Sequence, residues 1–234
     1  MLSLWDSYLK ILLLRGENVD HLGQHHKARG AFFTPMEISR FISDWAIRRP
    51  TDHVLEPSCG DASFLIPGAF KLVELGAFPG RLAKQLHGID IHGPSVAEAI
   101  DRLAQKGLTA SITEGDFFDH EPKPLYDAVI GNPPYVRYQD FSGAARAKSL
   151  RAALAHGVRL TSLASSWAAF TIHASEFLKD DGRLGMVLPA ELLSVNYAAE
   201  VRRFLMNRFA KVRLVVFEQL LFPGVLEEVV LLLA

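Results

Sequence analysis

His53-Val54-Leu55-Glu56-Pro57-Ser58-Cys59-Gly60-Asp61-Ala62-Ser63-Phe64-Leu65 runs from a short apolar strand through a tight turn of small residues into the start of a helix. A strand that passes through such a turn into a helix is the opening unit of an α/β sheet. The same rhythm continues outward from it. Apolar runs at 86–90, 109–112, 126–130, 183–188, 212–217 and 225–234 are separated by helical candidates at 62–77, 94–106, 163–179 and 197–209. Together with 53–55 these runs predict a mostly parallel seven-stranded sheet with helices on both faces, a Rossmann-like α/β fold. In such sheets a ligand binds beyond the carboxyl ends of the strands, so the residues just after each run are the ones to read.

Composition sets the outer limits. Of 234 residues, 49% are hydrophobic and 22% charged, which excludes a disordered or collagen-like chain. The 25 Lys and Arg nearly balance the 26 Asp and Glu, for a formal charge of −1. A chain that grips nucleic acid over its whole surface is usually strongly basic, so any polyanion contact here is local or supplied from elsewhere. A single cysteine, Cys59, excludes an internal disulfide and points to a reducing, cytoplasmic setting. No apolar stretch approaches the ~18 residues of a membrane span, and no signal peptide is evident in the first 20 residues. Leu2, Trp5, Leu9, Leu12 and Leu13 mark an amphipathic N-terminal helix. With the polar stretch that follows they form a helix-and-linker segment over 1–29, ahead of one α/β domain over 30–234. His21, His25 and His26 in that linker lack Cys or carboxylate partners at ligand spacing and read as a solvated loop, with no metal expected.

Each strand end carries something unusual. After the first run, Ser58, Cys59 and Gly60 let the backbone approach a ligand at a helix N-terminus. The full G-x-G-x-x-G of dinucleotide enzymes is missing, which speaks against a dehydrogenase. Cys59 itself reads as a small packing residue. The second run ends in Gly88-Ile89-Asp90-Ile91, where Asp90 can accept both hydroxyls of a ribose. The third is followed by Gly115-Asp116-Phe117-Phe118. Asp116 can accept from an exocyclic amine while a ring packs on a purine; a helix cap or turn is the other reading. The fourth ends in Gly131-Asn132-Pro133-Pro134-Tyr135. Two prolines fix the backbone and remove two donors. The Asn132 amide oxygen and the Pro133 carbonyl can then accept from one NH2 group, and Tyr135 offers a face for a planar ring. A rigid Pro-Pro turn alone explains the prolines but not Asn, Tyr and the strand end together.

In this order the motifs resemble the S-adenosylmethionine-dependent amino-methyltransferases, and specifically the gamma-class N6-adenine DNA methyltransferases of restriction–modification systems. The resemblance runs from about Gly30 to Ala234. It also takes in Ala31-Phe32-Phe33-Thr34-Pro35, Asp181-Gly182-Arg183-Leu184-Gly185-Met186-Val187-Leu188-Pro189 and Leu221-Phe222-Pro223-Gly224. It implies a class I methyltransferase fold with S-adenosylmethionine as cofactor. Thr34 and Glu56 would handle the methionine end of the cofactor, Asp90 the ribose, and Asp116 and Phe117 the adenine, with Phe33, Ser58, Cys59, Gly60, Ile91 and Asn132 also at the cofactor. Asn132 to Tyr135 would hold the substrate amine and ring, with Phe222 on the ring's other face. DNA with a flipped adenine is the implied partner, beside a recognition domain or subunit and a restriction nuclease, and no membrane.

Two departures stand out. Ala62 replaces a glycine that many relatives carry in the first turn. The chain also stops inside an apolar run, before the target-recognition domain the resemblance implies, so a fragment or a chain lacking a further domain is expected. From Arg137 to Arg213 there are twelve Lys and Arg against six Asp and Glu. Arg137, Arg146, Lys148, Arg151 and Arg159 form either a phosphate-facing rim or a solvated helix face, within a mobile loop or helical insertion at 137–162. The rival readings are a methyltransferase of the same fold acting on protein glutamine or RNA, and a non-catalytic module that binds nucleic acid or a partner.

Overall fold

The computed structural model describes residues 34–217 and 228–234. The expected N-terminal helix, the histidine linker, Phe33 and Phe222 lie outside the described residues. The first described element is a helix the alternation of runs did not mark, α1 (Met36–Ala46). Ile38, Phe41, Ile42 and Ala46 recur at helical spacing and are buried, which fixes the inward face. Ser39 and Ser43 lie buried among them because their hydroxyls donate back to the carbonyls of Met36 and Ser39, at 3.2 and 2.8 Å.

Seven strands follow: β1 (Val54–Glu56), β2 (Leu86–Asp90), β3 (Ser111–Glu114), β4 (Tyr126–Gly131), β5 (Leu178–Pro189), β6 (Arg213–Val216) and β7 (Val229–Leu233). They form one sheet in the order β3-β2-β1-β4-β5-β7-β6. The first five are parallel, and β7 runs antiparallel to both β5 and β6. Every expected strand is present, β2 with the expected limits and the others with shifted ones. β3 starts two residues later than its apolar run, where the chain meets β2 in the register His87↔Ser111 to Asp90↔Glu114.

Helices α2 (Leu65–Glu74) and α3 (Gly93–Ala104) connect β1 to β2 and β2 to β3, moving one way across the sheet. Helix α4 (Gly143–Ala155) and helix α5 (Ser166–Ser175) connect β4 to β5, moving the other way. Right-handed crossovers in opposite directions put these two groups on opposite faces. The strand order therefore reverses between β1 and β4, and the crevice for a ligand opens there. A short helix, α6 (Glu191–Ser194), and α7 (Ala198–Arg208) lead from β5 to β6. Two turns of 3-10 helix (Pro79–Lys84) fill the connection before β2, and a single turn (Phe117–Asp119) follows β3.

Two expectations are corrected. The helix expected over 163–179 ends at Ser175, and Leu178 already pairs with Tyr126. The pairing then skips to Ala128↔Arg183, so Asp180-Asp181-Gly182 is an excursion inside β5 rather than the turn before it. The segment at 137–162 contains α4, so of its two readings the helical insertion stands. Among the described residues no helix is long and apolar enough to cross a membrane.

Candidate active site

Strand β1 delivers Glu56 to the switch point at 2% exposure. Its carboxylate accepts from the backbone N–H of Leu65, the first residue of α2, at 2.8 Å. Burial pushes its pKa well above the usual 4.5, the nearby Asp90 charge pushes the same way, and the N–H groups of Leu65 and Phe64 pull it back. The turn between them is strained in a specific place. Gly60 lies at φ +48° with no atom within 4 Å of where a Cβ would stand, so the turn borders open space. Ala62 lies at φ +70° and is fully buried. The methyl noted as a departure therefore sits in a left-handed conformation that glycine adopts at less cost.

The turn leans on the end of β2. Cys59 N–H donates to the Ile89 carbonyl at 2.9 Å, and Gly60 N–H donates to Asp90 Oδ2 at 2.8 Å. Asp90 Oδ1 accepts from His92 N–H at 2.9 Å, so both carboxylate oxygens are oriented by backbone, and the next side chain, Ile91, is 70% exposed. Close contact is required here, since a Cβ on Gly88 would lie 2.9 Å from Leu65 Cδ1 and 3.0 Å from Cys59 Sγ. The Cys59 thiol is buried, and desolvation followed by the charges of Glu56 and Asp90 drives its pKa upward. It is packing material, not a thiolate.

Beyond β3, Asp116 Oδ1 accepts from Phe118 N–H at 3.0 Å. The carboxylate thus caps the short 3-10 turn, as the structural alternative required. Its Oδ2 receives Lys148 Nζ from α4 at 2.8 Å, and the same ammonium reaches Asp119. The Phe117 ring is placed differently from the expectation of a ring laid on a purine. It is 4% exposed, with centroids 4.8 Å from Phe170, 4.8 Å from His173 and 5.1 Å from Phe177. Burial and the neighbouring His156 push the His173 imidazole down to about 4, so it sits neutral in that aromatic cluster.

At the end of β4, Asn132 is tied to both flanks. Its amide nitrogen donates to Thr34 Oγ1 at 3.1 Å, and its backbone carbonyl accepts from Ser58 Oγ at 3.1 Å. Ninety-eight residues separate these partners, yet Thr34 is 3% exposed at the start of α1. Ser166, at the head of α5, grips the loop beyond. Its hydroxyl donates to the Pro134 carbonyl at 2.5 Å and accepts from Val136 N–H at 2.8 Å, while its own N–H donates to the Val136 carbonyl at 3.0 Å. Tyr135 hydroxyl donates to the Val187 carbonyl on β5 at 2.9 Å. The ring expected to offer an open face is 8% exposed, so the described surface presents only its fringe.

The structure therefore gathers Thr34, Glu56, Ser58, Gly60, Asp90, Asn132 and Tyr135 around the switch point, with Asp116 beyond the neighbouring strand. Its chemistry is three carboxylates at successive strand tips and a rigid acceptor loop beside them. A family model described as N-6 DNA Methylase matches residues 19–233. The chain belongs to the N-6 DNA methylase family. A curated relative of this N-6 DNA methylase chain, the Type II methyltransferase M.HincII of Haemophilus influenzae, is 29% identical over 203 residues, 86% of this chain and 36% of the relative. The chain thus spans about a third of that relative's length. The DrdV–DNA complex superposes with a TM-score of 0.70 at 17% identity, covering 89% of this chain and 27% of that one. The EcoKI M protein gives 0.65 at 19%, covering 87% and 44%. At these identities the structures establish the fold.

Two residues of this candidate site are not assigned to it from the sequence, Ser166 and Lys148. Ser166 carried no signal beyond its place at a helix start. Lys148 reads there as part of a phosphate-facing rim or a solvated helix face, and its pairing with Asp116 depends on how α4 folds back.

Proposed function

We propose that this chain is the catalytic core of an enzyme that transfers a methyl group from S-adenosylmethionine to the N6 amine of an adenine flipped out of DNA. It would be the modification part of a restriction–modification system. The observation that carries the reading is Asn132-Pro133-Pro134-Tyr135 fixed at the end of β4, beside the switch point, with Thr34 bonded to Asn132. Membership of the N-6 DNA methylase family and the name of the M.HincII relative support the same activity.

The residues fit the cofactor. A sulfonium nucleoside is cationic at one end and carries ribose hydroxyls and an exocyclic amine. The strand tips offer acceptors in that sequence: Glu56, Asp90 and Asp116. The open space beside Gly60 allows the backbone to approach. When bound, the cofactor supplies an electrophilic methyl group. The chain's task is to present the nucleophile. The adenine amine is weakly nucleophilic because its lone pair is delocalised into the ring. Asn132 Oδ1 and the Pro133 carbonyl would accept its two N–H bonds, favouring a tetrahedral nitrogen with a localised lone pair. The rigid loop then contributes alignment, holding nitrogen in line with the methyl–sulfur bond. Once methylated the amine is acidic, so no strong general base is required. Extruding the base costs a few kcal/mol, and stacking on Phe222 and the fringe of Tyr135 would offset part of it at ~1–3 kcal/mol per contact.

The test is transfer of label from methyl-labelled S-adenosylmethionine to mixed-sequence DNA, RNA or protein extract, with the product identified after digestion. N6-methyladenine from DNA is expected. Label in RNA or in protein glutamine would overturn the substrate assignment. Asn132→Ala should lower turnover by at least 100-fold and leave cofactor affinity within about 2-fold, since one misplaced contact near the reacting atoms costs on that order. Equal loss of both would overturn the role given to Asn132.

A further inference from the structure

Three carboxylates stand at the strand tips, and they are held in different ways. Glu56 is oriented by a backbone N–H at the end of its own turn, and Asp90 by the backbone N–H groups of His92 beside it and of Gly60 in the β1 turn. Asp116 has one such bond, from Phe118 to Oδ1. Its other oxygen is held from outside the turn by Lys148, 32 residues away in sequence. An aspartate carboxylate rotates through a broad χ2 well unless both oxygens are engaged, so this ammonium completes the orientation of Asp116. Lys148 is itself anchored at two points, because Asp119 receives it at 2.8 Å as well. The two carboxylates hold its proton above the ordinary lysine range. It projects from α4, which is seated on the core by Ser149 and Ala153, both fully buried.

A lysine bond to Oδ2 leaves that oxygen able to accept a second donor, because each carboxylate oxygen has two lone-pair sites. The direction of the remaining site is set by where the ammonium sits. We propose that Lys148 is a positioning residue for recognition of the cofactor's adenine: by bridging Asp116 and Asp119 it aims Asp116 Oδ2 at the exocyclic amine. This rests on the reading that Asp116 meets the adenine. It adds a residue from the insertion after the Asn-Pro-Pro-Tyr loop to the selection of the nucleoside.

The experiment measures binding to the full-length protein by titration calorimetry without DNA. The probes are S-adenosylhomocysteine and its analogue bearing hydrogen in place of the 6-amino group. The ratio of the two affinities reads the amine contact alone. The native protein should prefer the amine-bearing probe about 10-fold or more, since a bond to a charged acceptor is worth at least that. Asp116→Asn should collapse the ratio. Lys148→Met should reduce it 3- to 10-fold with the thermal midpoint little changed, Lys148→Arg should restore most of it, and Asp119→Asn should give a smaller loss. If Lys148→Met leaves the ratio intact or raises it while Asp116→Asn collapses it, Lys148 does not position the carboxylate and the proposal fails alone. If neither variant moves the ratio, Asp116 does not meet the adenine and both readings fail.

Discussion

Ser166→Ala removes a single oxygen, and the consequence can be worked from the loop it holds. Ser166 is 4% exposed. Its hydroxyl satisfies the Pro134 carbonyl and the Val136 N–H at once, on either side of Tyr135. Alanine keeps the backbone bond from Ser166 N–H to the Val136 carbonyl but loses the other two. At ~0.5–1.5 kcal/mol net per bond the loss is about 2 kcal/mol. For a domain of this size that lowers Tm by about 4–8 °C. The catalytic effect should be larger in proportion. Asn132, Pro133, Pro134 and Tyr135 form one loop, and a displacement of about 1 Å at reacting atoms costs about 100-fold. Single-turnover methyl transfer should fall about 10- to 100-fold while cofactor affinity changes less than about 2-fold, because Ser166 touches no strand tip that holds the nucleoside. Ser166→Cys, which keeps a weaker donor, should fall between. An unchanged Tm together with an unchanged single-turnover rate would refute the claim that Ser166 holds the loop.

Three further expectations concern the cofactor side. Glu56 has a raised pKa in the folded state, so its native form binds protons more readily than the unfolded chain, and stability is lost as pH rises from 4.5 through the folded pKa. Glu56→Gln keeps an acceptor for Leu65 N–H and should flatten that slope in thermal melts while weakening cofactor binding; a slope equal to the native one would refute the assignment. Gly88→Ala would force Leu65 and Cys59 aside and should cost about 1–3 kcal/mol, with reduced cofactor affinity by calorimetry. An unchanged Tm would show the turn to be looser than its contacts indicate. Ala62→Gly relieves the left-handed strain of ~1–2 kcal/mol but adds ~0.4–1 kcal/mol of unfolded-chain entropy. A small rise in Tm is expected, and a fall of several degrees would contradict it.

Much of this was readable in the residues, for reasons that differ by element. The parallel strands β1, β2 and β4 announce themselves as short, largely buried runs that end at Glu56, Asp90 and Gly131, and those tips carry the candidate site; β3 is mostly exposed and is marked chiefly by the Gly115-Asp116 that follows it. Helix α1 carried a readable period in Ile38, Phe41, Ile42 and Ala46, but two buried serines blur its polar boundary. Helix α5 had no face to find, since all ten of its residues are buried, and its run merged with β5. The excursion at Asp180-Asp181-Gly182 hid the first residues of that strand for the same reason: a turn signal inside an element reads as its edge. What no local pattern could supply is contact across the chain. Thr34 meeting Asn132, Ser166 gripping Pro134, and the Phe117 ring entering an aromatic cluster depend on where distant elements pack.

The position of β7 has a consequence for how the protein is made. Strand β6 is hydrogen-bonded only to β7 among the described strands, and β7 separates it from β5. A ribosome that has released everything through Val216 has therefore supplied all of the parallel sheet and its ligand crevice. The free side of β5 still waits, and β6 has no strand beside it. Residues 229–233 emerge after both β5 and β6 and must wedge between these two strands made earlier. Until then β5 presents an open apolar edge of the kind that invites association with other chains. Assembly of this half is a late, long-range step. A nascent chain stalled just short of β7 should be the species that holdase chaperones capture.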